Sequence, residues 1–129
     1  METSKSSTIK GAIADYHLDA SGILYAYSKP VVRTVENIRE NVKLVQSITA
    51  HKPVPLLIFL SKSPVPDKET REFSKTQLPL IYSAMAMVSK PGLSAFIMKI
   101  LFSFQQPPIP MRSFTDENKA REWLLGFVH

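Results

Sequence analysis

The 129-residue sequence contains no cysteine. That excludes disulfides, thiolate nucleophiles and cysteine-bound zinc, and it fits a reducing compartment, so a cytoplasmic location is expected. With four glycines there is little material for a phosphate cradle. Neither a P-loop nor G-x-G-x-x-G occurs, and Gly92-Leu93-Ser94-Ala95-Phe96 lacks the last glycine of a nucleophile elbow. Long apolar runs are missing too. The most apolar stretch, Leu93 to Phe104, holds Ser94, Lys99 and Ser103 and falls well short of the ~20 residues of a membrane span. Met1 to Thr8 is polar with no apolar stretch behind it, so no export signal and no integral membrane protein are expected.

Acids are absent between Glu72 and Asp116, where Lys75, Lys90, Lys99 and Arg112 occur. Sixteen basic against eleven acidic residues give a net charge of +5. The cations are spread out and mostly interleaved with acids, whereas a nucleic-acid face clusters them. No nucleic-acid partner is expected.

What is present is enough for one core: 44% of the residues are hydrophobic, and the length suits a single domain. Residues 1–8 read as a flexible N-terminus and 9–129 as the domain. Ile9 to Leu18 carries Ala12, Ala14, Tyr16 and Leu18 at period two. Asp19-Ala20-Ser21-Gly22 is a turn signal, and Ile23 to Tyr27 a second strand, so the chain opens with a β-hairpin. Thr34 can cap a helix whose stripe is Val35, Ile38, Val42, Val45 and Ile48, with Lys52-Pro53 ending it. Pro55 to Leu60 is continuously apolar, as in a strand buried on both faces. Asp67 can cap the next helix, where Asp67 with Arg71 and Lys68 with Glu72 are spaced to pair, and Pro79 interrupts it.

Ser83 to Ser89 is a further strand-length apolar run, and Pro91 can open a helix with a core stripe of Leu93, Phe96, Ile97, Ile100, Leu101 and Phe104. After the proline-rich turn Gln105 to Pro110 come a short strand, Met111 to Phe114, and a helix started by Thr115-Asp116-Glu117. Ala120, Trp123, Leu124 and Phe127 share one face of that helix and must dock onto the sheet. The order β-β-α-β-α-β-α-β-α predicts an α/β fold: a mostly parallel sheet with an N-terminal antiparallel hairpin, covered by helices.

Ser83-Ala84-Met85-Ala86-Met87-Val88 with Lys90-Pro91, Pro107-Pro108-Ile109-Pro110 leading into Phe114-Thr115-Asp116-Glu117, and Ala120-Arg121-Glu122-Trp123-Leu124 resemble a bacterial family of stand-alone STAS-like domains. The STAS domain is the fold of anti-sigma-factor antagonists. These motifs mark strand ends, caps and packing, so they carry the fold further than the function. In STAS antagonists a serine in the loop after the third strand is phosphorylated. The matching loop is Ser61-Lys62-Ser63-Pro64-Val65-Pro66-Asp67, which makes Ser61 and Ser63 the phosphoacceptor candidates that the resemblance implies. The loop lacks the family's Asp-Ser-Ser-Gly pattern, and Ser63 stands four residues before the capping Asp67, far for helix amides to hold a phosphate.

No catalytic or metal-ligating set emerges. His17, His51 and His129 are not spaced to converge, and the acid pairs Asp67/Glu69 and Asp116/Glu117 sit where helix starts want them. No cofactor is implied. The distinctive feature is apolar excess: Met98 and Phe102 project away from the core stripe of their helix. Either the Gln105 to Pro110 turn folds over them or something else does. A protein-interaction module, as a homo-oligomer or with another protein, is the first reading. Binding of a lipid or other apolar ligand, in the manner of the CRAL-TRIO fold that STAS domains resemble, is the second. A small enzyme is the third, with no residues to name.

Overall fold

A computed structural model describes residues 8–103 and 106–128, with the side chains at 94 and 101–103 outside that description. Six strands lie in one sheet in sequential order: β1 (Ile9–Lys10), β2 (Ala14–Leu18), β3 (Leu24–Ser28), β4 (Val54–Phe59), β5 (Tyr82–Val88) and β6 (Met111–Phe114). β1–β2 and β2–β3 pair antiparallel, and the remaining neighbours pair parallel. Helix α1 (Val35–Thr49) joins β3 to β4, α2 (Lys68–Ile81) joins β4 to β5, and α3 (Ser94–Ser103), entered through a 3-10 turn at Pro91–Leu93, joins β5 to β6; α4 (Glu117–Leu125) follows β6. The expected α/β architecture is therefore found. The expected flexible segment 1–8 lies, apart from Thr8, outside the described residues.

The strand alternation sorts the core into two layers. Leu24, Ala26, Val54 and Leu56 face Val42 and Val45 of α1 and Ile81 of α2, together with Tyr16 and Tyr82. Ile23, Tyr25, Leu57, Ala84 and Ala86 face Ala120 and Leu124 of α4, with Trp123, Phe127 and Phe114 packed around them. The small residues at positions 84 and 86 of β5 leave room for α4 to approach the sheet. Arg121 fastens that helix from its flank: Nη1 donates to the Asp19 carboxylate and, at 3.0 Å, to the Tyr25 hydroxyl. Asp19 also accepts from the Ser21 and Ile23 amides at 2.9 and 3.2 Å. Burial alone would raise the Asp19 carboxyl, but the hydrogen bonds from Ser21, Arg121 and Ile23 outweigh it and hold it below the ordinary carboxylate value.

Several boundaries differ from those expected. The period-two stretch 9–18 is two strands, not one. Between them the Gly11 amide donates to the Ala14 carbonyl at 3.0 Å, and a Cβ on Gly11 would meet that oxygen at 2.7 Å and Leu44 at 2.8 Å. Helix α1 stops at Thr49 rather than at Lys52, because Ala50 and His51 take left-handed conformations with φ of 55° and 63°. Pro79 does not interrupt α2. Its missing N–H falls in the last turn, where one lost bond costs the helix little because the strand begins three residues on. Glu72 pairs with Lys75 at 3.6 Å, not with Lys68. The capping expectations hold at Thr34, which accepts from the Asn37 amide at 3.1 Å, and at Asp67, which accepts from Thr70 at 2.8 Å. The last helix is capped one residue later than Thr115, by Asp116.

Candidate functional site

The carboxyl ends of β3 and β4 open into a cleft of about 190 Å3 between the loop 60–66, α2 and α3. In open sheets with parallel strands this end is where loops leave room for ligands. Ile58 and Leu60 form one apolar wall, and Phe96 and Ile100 of α3 the other. Two arginines stand among them, Arg33 and Arg71, with Ser28, Ser61, Ser63 and Ser74 supplying hydroxyls. Among the described residues no acidic residue lines the cleft.

The arginines are held differently. Arg33 follows the irregular segment after β3 and points back onto it. Its Nη1 donates to the carbonyls of Lys29 at 2.7 Å and Val31 at 2.8 Å, and its Nη2 to the carbonyl of Ile13 at 3.1 Å and the Ser28 hydroxyl at 2.7 Å. A guanidinium has five N–H groups, and these bonds engage four of them. Burial lowers its pKa from the ordinary arginine value, yet a guanidinium stays protonated in proteins. Arg33 is therefore a half-buried cation held by dipoles, three carbonyls and a hydroxyl. Arg71, in the first turns of α2, uses Nη1 on the Pro66 carbonyl at 2.6 Å and has the rest of its fork to offer. It makes no ion pair with Asp67, the partner the i,i+4 spacing suggested; the Asp67 carboxylate takes the Thr70 amide instead. Hydrogen bonding from the Thr70 side chain and then from its amide, with the nearby Arg71 charge as a smaller cause, holds the Asp67 carboxyl below its ordinary value.

A second compartment of about 160 Å3 lies deeper, between α1, α2 and the sheet, and shares Arg33, Ile58 and Ser74 with the cleft. Its polar end is a buried cluster in which the Tyr16 hydroxyl donates to Asn41 Oδ1 at 2.7 Å and is hydrogen-bonded to Tyr82. Burial raises both phenols above their ordinary value, Tyr82 by far the more, so both stay neutral near neutral pH.

Of the residues singled out from the sequence, Ser61 and Ser63 come together in this cleft, and the Ser61 hydroxyl donates to the Ser28 carbonyl at 2.9 Å. Met98 lies on the opposite flank of α3, 46% exposed, beside a second cleft of about 380 Å3 that it lines with Ile97 and Phe114. Among the described residues nothing folds over it. The Phe102 side chain lies outside the described residues. His17 is on β2 and His51 on the left-handed turn after α1; His129 is outside the described residues. The two arginines were missed. Arg33 reads in sequence as a charge off a helix stripe and Arg71 as one half of a helix pair. The available signal was positional: a loop rich in serine and proline leaving the carboxyl end of a fully apolar strand.

Among the described residues no helix is long and apolar enough to cross a membrane. The family model described as "Domain of unknown function (DUF7793)" matches residues 16–128, and the chain belongs to that family. No curated protein matches it. Among solved structures, the chain is similar to an uncharacterised protein of the DUF3478 family with a SpoIIAA-like fold from Shewanella loihica PV-4. The TM-score is 0.51 at 16% identity, over 92% of this chain and 90% of that one. That likeness shows the fold, which is STAS-like as the sequence motifs implied.

Proposed function

We propose that this member of the DUF7793 family is a non-catalytic binding module, and that its ligand enters the cleft under α3 at the carboxyl ends of β3 and β4. The observation that carries this reading is the cleft itself: apolar walls from Ile58, Leu60, Phe96 and Ile100 with two arginines and, among the described residues, no acid. Ligand sites commonly combine apolar lining with a few placed polar groups. The size argues for a small molecule. About 190 Å3 lies below the ~300 Å3 at which drug-sized sites begin, too little to enclose an acyl chain of full length. The apolar-ligand reading thus narrows from a lipid to a compact body.

Titration with cyclohexanol, followed by methyl NMR, tests the site. Shifts concentrated at Ile58, Leu60 and Ile100, and suppressed in a Ser74→Leu variant that fills the cleft, are expected. Shifts scattered over the surface, or unchanged by the filling, would overturn the reading. A phosphate on Ser61 or Ser63 would occupy the same cationic end. Phosphopeptide spectrometry of native protein that finds both serines always unmodified removes that part.

A second reading, contact with a protein partner or a second copy, is favoured by the exposure of Met98 beside its own apolar-walled cleft. Sedimentation velocity at high concentration tests the self-association form. A dimer lost on Met98→Glu supports it, and a monomer throughout refutes it.

A further inference from the structure

We infer that Arg71 is the anion anchor of the cleft, and that the cleft selects a monocarboxylate carrying a compact apolar body of about six carbons. This rests on the reading that the cleft is a ligand site, and adds the ligand's chemistry to it. The donors settle which arginine binds. Arg33 has four N–H groups tied to the Lys29, Val31 and Ile13 carbonyls and the Ser28 hydroxyl, so it contributes a fixed positive field and no fork. Arg71 has one N–H committed, to the Pro66 carbonyl, and its remaining donors can meet both oxygens of a carboxylate. Planar bidentate pairing of that kind is what a guanidinium does best.

The local charge sets the valence. Two guanidinium charges stand against the one carboxylate of Asp67, whose field reaches Arg71. That carboxylate works against a second negative charge placed beside it, which suits a monoanion. A phosphate dianion would bring two charges next to Asp67. It would also find the Thr70 amide at the start of α2 already taken by the Asp67 carboxylate.

The volume sets the body. A dry cavity of roughly 150 Å3 holds a benzene ring. The cleft's 190 Å3 therefore takes a ring or a six-carbon chain, with the carboxylate at its Arg71 end and Phe96 and Ile58 along its length. A methylene buried there is worth about fourfold in affinity.

Calorimetric titration of hexanoate, acetate, hexanol and hexyl phosphate against the full chain and its Arg71→Gln and Arg71→Lys variants tests this, with circular dichroism confirming that each variant is folded. Hexanoate is expected to bind at least tenfold tighter than each of the other three. Arg71→Gln should weaken hexanoate by about 10- to 100-fold and leave hexanol within about twofold. Arg71→Lys, which keeps the charge and loses the fork, should fall between. Hexanol equal to hexanoate, hexanoate unaffected by Arg71→Gln, or hexyl phosphate binding tightest would overturn the inference and leave the cleft as a ligand site. Should no probe bind, cyclohexanol included, both fail together.

Discussion

Arg33→Met separates the two arginines most cleanly. Methionine keeps the length and apolar stem of the side chain and removes all four of its hydrogen bonds. At about 1 kcal/mol net per bond the gross loss is about 4 kcal/mol. Two acceptors keep another donor: the Ile13 carbonyl still receives the Lys29 amide at 2.9 Å, and the Lys29 carbonyl the Val31 amide at 2.8 Å. The Val31 carbonyl belongs to an exposed residue and turns to water. Removing a half-buried cation also recovers part of its desolvation cost. Together these offsets return roughly half, leaving about 2 kcal/mol of destabilisation. For a chain of this length that is a fall in Tm of roughly 7 °C. Arg71→Met, which gives up one bond to Pro66, should cost about 1 kcal/mol or less. Urea unfolding of both variants, read by fluorescence and circular dichroism, makes the comparison. Arg33→Met within about 0.5 kcal/mol of the parent, or Arg71→Met the less stable of the two, would refute the division into a structural and a binding arginine.

Leu56→Ala, at a site 1% exposed between the sheet and α1, should cost about 3 to 4 kcal/mol in urea unfolding. A loss under about 1 kcal/mol would mean that this layer is not the core described. Ala50→Gly should stabilise by about 0.5 to 1 kcal/mol, since the exposed Ala50 holds a left-handed φ of 55° that a side chain resists; a thermal scan showing no gain contradicts that cap. Asp19 has a lowered folded-state pKa. Its contribution is therefore present above the ordinary carboxylate value near 4 and is lost as the pH falls through the lowered value. The stability gap between the parent and Asp19→Asn should be full at pH 6 and close at acid pH. A gap constant across that range would show that the carboxylate charge is not what Arg121 holds.

How far the sequence reached depends on how local each feature is. The apolar run 55–60, the 3.6-period stripe of α1 and the cap at Asp67 each follow from neighbours within one turn or strand, and they appear where expected. Gly11 is different: a side chain at this break would meet Leu44 of α1, 33 residues away in sequence. The left-handed pair Ala50–His51 carries no glycine or asparagine to announce it. Pro79 sits inside a helix because the lost bond falls near its end. The cleft was the least legible part. Ser61 and Ser63 were found through the resemblance, but the acceptors of Arg33 are main-chain carbonyls, and carbonyls have no signature in the residue string. Met98 was legible because helical periodicity alone turns it outward, and it is exposed.

A crystal structure of the protein grown with hexanoate tests the whole account at once. The expected result is a carboxylate bridged by the Arg71 guanidinium, a hydrocarbon tail lying between Ile58 and Phe96, and Arg33 still bound to its three carbonyls. A cleft closed by its own side chains, with Arg71 turned into solvent and hexanoate elsewhere or nowhere, would contradict it.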